Sequence, residues 1–144
     1  MRLRSKLVTA IGIWCLAIVA APIIVDRVPK IGAFLYLFFF PICHQLPERS
    51  FFLFNHQLPV CARCAGIYYG AFLGSFFARR KSPSPWYLVI ALIPMALDGG
   101  TQLLFRESNN ILRLATGLIA GFAVVFYLYA GLFSERSAGQ LTPT

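Results

Sequence analysis

Apolar positions along this chain come in long unbroken runs, and the polar positions collect between them. Residues 7–25, 31–42, 85–97 and 111–133 are nearly free of charge. Another run, 61–77, opens on a polar motif and then turns apolar. Runs of this length predict helices that cross or enter a bilayer rather than strands of a soluble domain. The segment 31–42 is the exception. As a helix it rises about 18 Å at ~1.5 Å per residue, short of a hydrocarbon core of about 30 Å, and Pro41 stops it. The expectation is an all-α polytopic membrane bundle. It has four transmembrane helices, at about 7–25, 61–77, 85–105 and 111–133, plus one re-entrant or tilted half-helix at 31–42. Residues 1–133 form a single integral membrane domain, and 134–144 a disordered cytoplasmic tail.

Composition strengthens this picture. Only 12% of the residues are charged and 58% are hydrophobic, against about 25% charged in soluble domains. The net charge of +8 does not indicate nucleic acid, because the basic residues are not spread over a binding face. They cluster at the ends of apolar runs, as Arg2, Arg4 and Lys6 and as Arg79, Arg80 and Lys81. Such clusters mark cytoplasmic ends. Both termini are therefore expected inside, in a multi-pass protein of the cell membrane. A full crossing by 31–42 would force one cluster outside. The start also resembles a secretory signal ending at Val19-Ala20-Ala21, but the run is long and Pro22 follows, which favours an uncleaved first span.

Packing features follow the same frame. Gly66, Gly70 and Gly74 repeat every four residues, and Gly117 and Gly121 repeat the spacing in the last helix. In a membrane helix, small residues at that spacing let a neighbour approach closely. Ser84-Pro85 reads as a helix start, and Ser108, Asn109 or Asn110 as the cap of the last helix. Cys15, between Trp14 and Leu16, reads as small apolar filling.

Candidate chemistry concentrates between 43 and 64. That stretch holds Cys43, His44, His56, Cys61 and Cys64, three of four cysteines and both histidines. Three thiols and two imidazoles in so short a segment suit a soft divalent ion, zinc above all, with three sulfur ligands and His44 or His56 as the fourth. His-Gln-Leu-Pro occurs twice, at 44–47 and 56–59, and the prolines suggest that similar turns present the two histidines. The rival reading is redox. Cys61 and Cys64 form a CxxC at a helix N-terminus, similar to membrane enzymes that pass electrons from thiols to a quinone. A structural staple, zinc or disulfide, is the third.

The topology puts further polar residues in the same outer layer. Asp98, Gln102 and Arg106 share one face of the fourth helix, Glu107 lies in the following turn, and Arg113 opens the last helix. An aspartate inside a membrane helix needs a partner. Arg113 opposes its own helix dipole and so also calls for one: Asp98, Glu107 or a bound anion. Arg49 with Ser50, Arg63, Gln102, Arg106 and Arg113 would orient an anionic or lipid-linked ligand. If the protein is an enzyme, a zinc-activated water is the expected nucleophile and Asp98 or Glu107 the expected base.

At these residues the chain resembles an uncharacterised prokaryotic family of membrane proteins, domain of unknown function 2085. The resemblance rests on Cys43-His44-Gln45, on Pro47-Glu48-Arg49-Ser50-Phe51, and on the stretch Pro59-Val60-Cys61-Ala62-Arg63-Cys64-Ala65-Gly66-Ile67-Tyr68. It continues through Asp98-Gly99-Gly100-Thr101-Gln102, Arg106-Glu107-Ser108-Asn109 and Arg113-Leu114-Ala115-Thr116-Gly117. It implies a small polytopic membrane protein and brings no established reaction with it.

Overall fold

The computed structural model describes residues 2–78, 84–104 and 109–138, with side chains described at 5–78, 84–102 and 109–131. Helices dominate: α1 (Arg2–Ile24), α2 (Pro29–Phe39), α3 (Ala62–Phe77), α4 (Pro85–Leu104) and α5 (Asn110–Ala138). Among the described residues, two of them, over Ser5–Ile24 and Asn110–Gly131, are long and apolar enough to cross a membrane. The short helix α2 is apolar but has only 11 residues. The helices begin and end close to where the apolar runs do. The exceptions are α1, which begins at Arg2, five residues before its run, and α5, which continues to Ala138 and so carries helix into the segment expected to be disordered. Residues 139–144 lie outside the described residues, as do Arg79, Arg80, Lys81, Arg106, Glu107 and Ser108.

Local chemistry accounts for several of the boundaries. Pro29 is the first residue of α2, where its missing N–H costs nothing. At α5, Asn109 settles the choice of cap: its Oδ1 accepts the Leu112 N–H at 2.7 Å, satisfying one of the donors a helix start leaves open. Between α2 and α3 lie a 3-10 turn at Pro47–Arg49 and a hairpin of β1 (Phe52–Leu53) and β2 (His56–Gln57). The hairpin turns on Phe54 (φ 51°) and Asn55 (φ 63°), the two left-handed positions of a tight two-residue turn. Asparagine suits that conformation and phenylalanine does not.

The α3–α5 pair is the most closely packed in the bundle, and its glycines face one another. A Cβ on Gly70 would run into the Leu118 carbonyl, and one on Gly121 into the Ile67 carbonyl. Both positions therefore need glycine for the backbones to touch, as the four-residue spacing suggests. Against this pair, α1 packs on α3 and α4 on α5. A second nucleus, Ile18, Phe39, Cys43, Val60 and Ala65, joins α1, the end of α2, the loop and the start of α3. Trp14 caps it with edge-on contacts to Phe38 and Phe39, at 5.4 and 5.1 Å between ring centroids. Cys43 belongs to this apolar cluster, and Cys61 and Cys64 pack against it.

Candidate metal centre

Cys61 is the residue that caps α3, and Cys64 lies in its first turn. The CxxC spacing therefore puts two thiols at a helix N-terminus. Cys43 arrives from the other side. Its N–H bonds the Phe39 carbonyl at 3.0 Å, extending the end of α2 by a turn. Its sulfur then accepts the Cys61 backbone N–H at 3.1 Å. The sulfurs of Cys43, Cys61 and Cys64 all lie within 4.8 Å of one another, and all four cysteines are free thiols. Hydrogen bonds from the Cys61 and Cys64 thiols hold the Cys43 thiol well below the usual thiol range. Burial pushes the other way, and the backbone N–H groups of Gln45 and Cys61 add to the lowering.

The histidines do not join the sulfurs. His56 lies on β2 and its Nε2 meets Asp26 Oδ1 at 2.8 Å, so it ties the hairpin to the α1–α2 turn. His44 is exposed but lines a cleft of about 290 Å³ together with Cys43, Cys61, Cys64 and Arg49. The two His-Gln-Leu-Pro copies differ in conformation, against expectation. The second begins as strand. The first bends at Gln45, which takes φ 50°, a left-handed value that stores strain in a residue with a side chain. The two glutamines hold that bend. Gln45 Nε2 donates to the Tyr36 carbonyl at 2.8 Å, and Gln57 Nε2 donates to the Gln45 carbonyl.

The charged residues of α3, α4 and α5 do meet, but with a different pairing. Asp98 takes Arg63, not Arg113: Arg63 Nη2 donates to Asp98 Oδ2 at 2.6 Å. Gln102 Nε2 donates to the same oxygen at 2.8 Å, and its Oε1 accepts Arg113 Nη2 at 3.4 Å. Arg113 Nη1 also donates to Asn110 Oδ1 at 3.0 Å. Asn110 in turn donates to the Ser50 carbonyl at 3.1 Å. Asp98 and Arg113 are each only 4% exposed, so this chain of bonds replaces part of the water both have lost, with Arg113 Nε left without a hydrogen-bond partner among the described residues. It runs from Arg63, the neighbour of Cys64, back to the loop that carries Cys43.

Ser50 is buried within that loop. Its hydroxyl donates to the Leu46 carbonyl at 2.9 Å and accepts from Gln57 at 3.2 Å. Its position is structural, while the adjacent Arg49 faces the cleft. Arg106 and Glu107 lie outside the described residues. Asn110, Gln57, Gln45 and Asp26 are partners that sequence reasoning missed. Gln57 had a visible signal in the repeated tetrapeptide. Asp26 had none beyond being polar.

The fold and the site define a helical protein with two candidate membrane spans and a three-cysteine cluster at a helix N-terminus. The chain belongs to the family of predicted membrane proteins designated domain of unknown function 2085, whose profile matches residues 43–127 and so includes the whole cluster. It is 56% identical over 102 residues to an uncharacterised protein of Methanocaldococcus jannaschii, a match covering 65% of this chain and 65% of that relative's length. An uncharacterised protein of Methanothermobacter thermautotrophicus is 44% identical over 89 residues, or 58% of this chain and 80% of the relative. No solved structure matches.

Proposed function

We propose that this chain is a multi-pass protein of the cell membrane that holds zinc on Cys43, Cys61 and Cys64 at the extracytoplasmic end of its bundle. The observation that carries the proposal is the approach of three free thiols to within 4.8 Å at a helix N-terminus. Three thiolates there satisfy the sulfur preference of zinc and leave one coordination position. All three cysteines line the cleft beside His44 and Arg49, so the remaining position opens toward an imidazole and a guanidinium. The Arg49 guanidinium suits a carboxylate or phosphate, and a small anionic or lipid-linked ligand is the class this cleft would accept. Asp98 serves as a brace in this reading, since its carboxylate already binds Arg63 and Gln102.

The proposed membrane arrangement is that of the apolar runs. Helices α1, α3, α4 and α5 cross, α2 enters part-way, and the ends bearing Lys6 and the 79–81 cluster face the cytoplasm. Support comes from lengths and surfaces. The 20 residues of α4 rise about 30 Å, matching a hydrocarbon core. Its Trp86, Ile90, Ile93 and Leu97 are exposed, as lipid-facing side chains are.

Metal analysis tests the central reading. The purified full-length chain should carry about one zinc, and Cys43→Ser, Cys61→Ser and Cys64→Ser should each lower its content sharply. His56→Ala should leave it unchanged. A metal-free protein with a reducible bond between two of the three cysteines would instead favour thiol–disulfide exchange with a quinone.

A further inference from the structure

A second site lies at the far end of the bundle and is independent of the metal reading. Ser75 sits on α3 about 20 Å beyond Cys61, at ~1.5 Å of rise per residue. At that level α1 packs on α3, but α1 and α5 share no substantial packing. Between them is a slot of about 170 Å³, with Leu7, Val8 and Ile11 of α1 on one side, Val125, Leu128 and Tyr129 of α5 on the other, and Ser75 as its floor. Among the described residues, Ser75 and Tyr129 bring the side-chain hydroxyls to this lining, and neither presents polar surface to the slot. The Ser75 Oγ donates to the Phe72 carbonyl at 2.6 Å. An occupant therefore meets hydrocarbon on every side.

We infer that this slot seats one acyl chain of an anionic phospholipid, with Lys6 holding the headgroup phosphate. The walls of the slot belong to the two candidate spans, Ser5–Ile24 and Asn110–Gly131; the inference rests on the membrane arrangement proposed above, in which the phase at its mouth is lipid. Lys6 is exposed, immediately precedes Leu7 of the lining, and stands at the very start of the first span. That is headgroup depth, where a lysine attracts anionic lipid. Lys6 thus stands beside the mouth of the slot, within reach of a headgroup phosphate. Between two helices already in lipid, an apolar guest gains little from burial alone. Packing in the slot retains the chain, and the charge selects the headgroup.

The test is native mass spectrometry of the full chain released from nanodiscs of phosphatidylglycerol and phosphatidylcholine in equal amounts. The wild type should retain one lipid and prefer phosphatidylglycerol about fivefold, the effect of one lysine at the surface. Lys6→Gln should weaken the preference several-fold and keep the lipid, and an unchanged preference would overturn the inference. Val8→Trp, which fills the slot from its rim, should lose the lipid while keeping its helical circular dichroism. Should Val8→Trp fail to fold, the headgroup preference of Lys6→Gln decides the matter. Equal retention of both lipids by the wild type would overturn the inference. So would undiminished lipid on a folded Val8→Trp, or an isoprenoid quinone in the lipid's place.

Discussion

Asp98 pairs with Arg63 and Asp26 with His56, yet the two pairs should differ greatly in what they contribute. The Asp98 side chain is 2% exposed beside Arg63, and the Asp26 side chain 66% exposed beside His56. An exposed pair is screened and contributes under about 1 kcal/mol. Removing one partner of a buried pair leaves a charge without compensation and costs about 3–5 kcal/mol. Asp98→Ala should therefore lower unfolding stability in detergent by about that amount, while Asp26→Ala should shift it by less than ~1 kcal/mol. Equal losses in the two variants would contradict the assignment of Asp98 as a brace. The sequence made it plain that Asp98 needs a partner or water, because an apolar helix surrounds it. It did not show which partner. Arg63 and Arg113 are both within reach of that layer, and only the packing of α3 on α5 decides between them.

At the scale of elements, glycine spacing was the most readable signal. Gly70 and Gly121 are where the α3 and α5 backbones meet, and nothing larger fits without moving a helix. Gly121→Ala should cost about 1–3 kcal/mol by overpacking. At Gly100, on α4, an added Cβ would meet no atom of another element within 4 Å among the described residues. Gly100→Ala should thus be neutral or stabilising, by up to about 1 kcal/mol, from helix propensity alone. Thermal unfolding of both variants checks the contrast, and the reverse order would refute the close-packed α3–α5 seam. The repeated His-Gln-Leu-Pro was less readable. Identical residues suggest identical turns, but tertiary context decides otherwise. One copy is paired to β1 and the other is bent at Gln45 by bonds to Tyr36 and Gln57. That difference sends His56 toward Asp26 and leaves only His44 beside the thiols.

In the whole molecule, two structural devices converge on one place. The apolar nucleus around Ile18, Phe39 and Val60 sets Cys43 against the start of α3. The polar chain from Arg63 through Asp98, Gln102, Arg113 and Asn110 ties α3, α4 and α5 to the same loop. Three sulfurs meet as a result, Cys43 from the end of α2 and Cys61 and Cys64 from the start of α3, and the CxxC spacing alone could place only two of them. Zinc-edge X-ray absorption on the purified, metal-loaded chain tests this convergence most directly. The account predicts three sulfur neighbours at about 2.3 Å with one lighter neighbour, and one fewer sulfur in Cys43→Ser. A first shell of nitrogen and oxygen alone, or one that Cys43→Ser leaves unaltered, would contradict it.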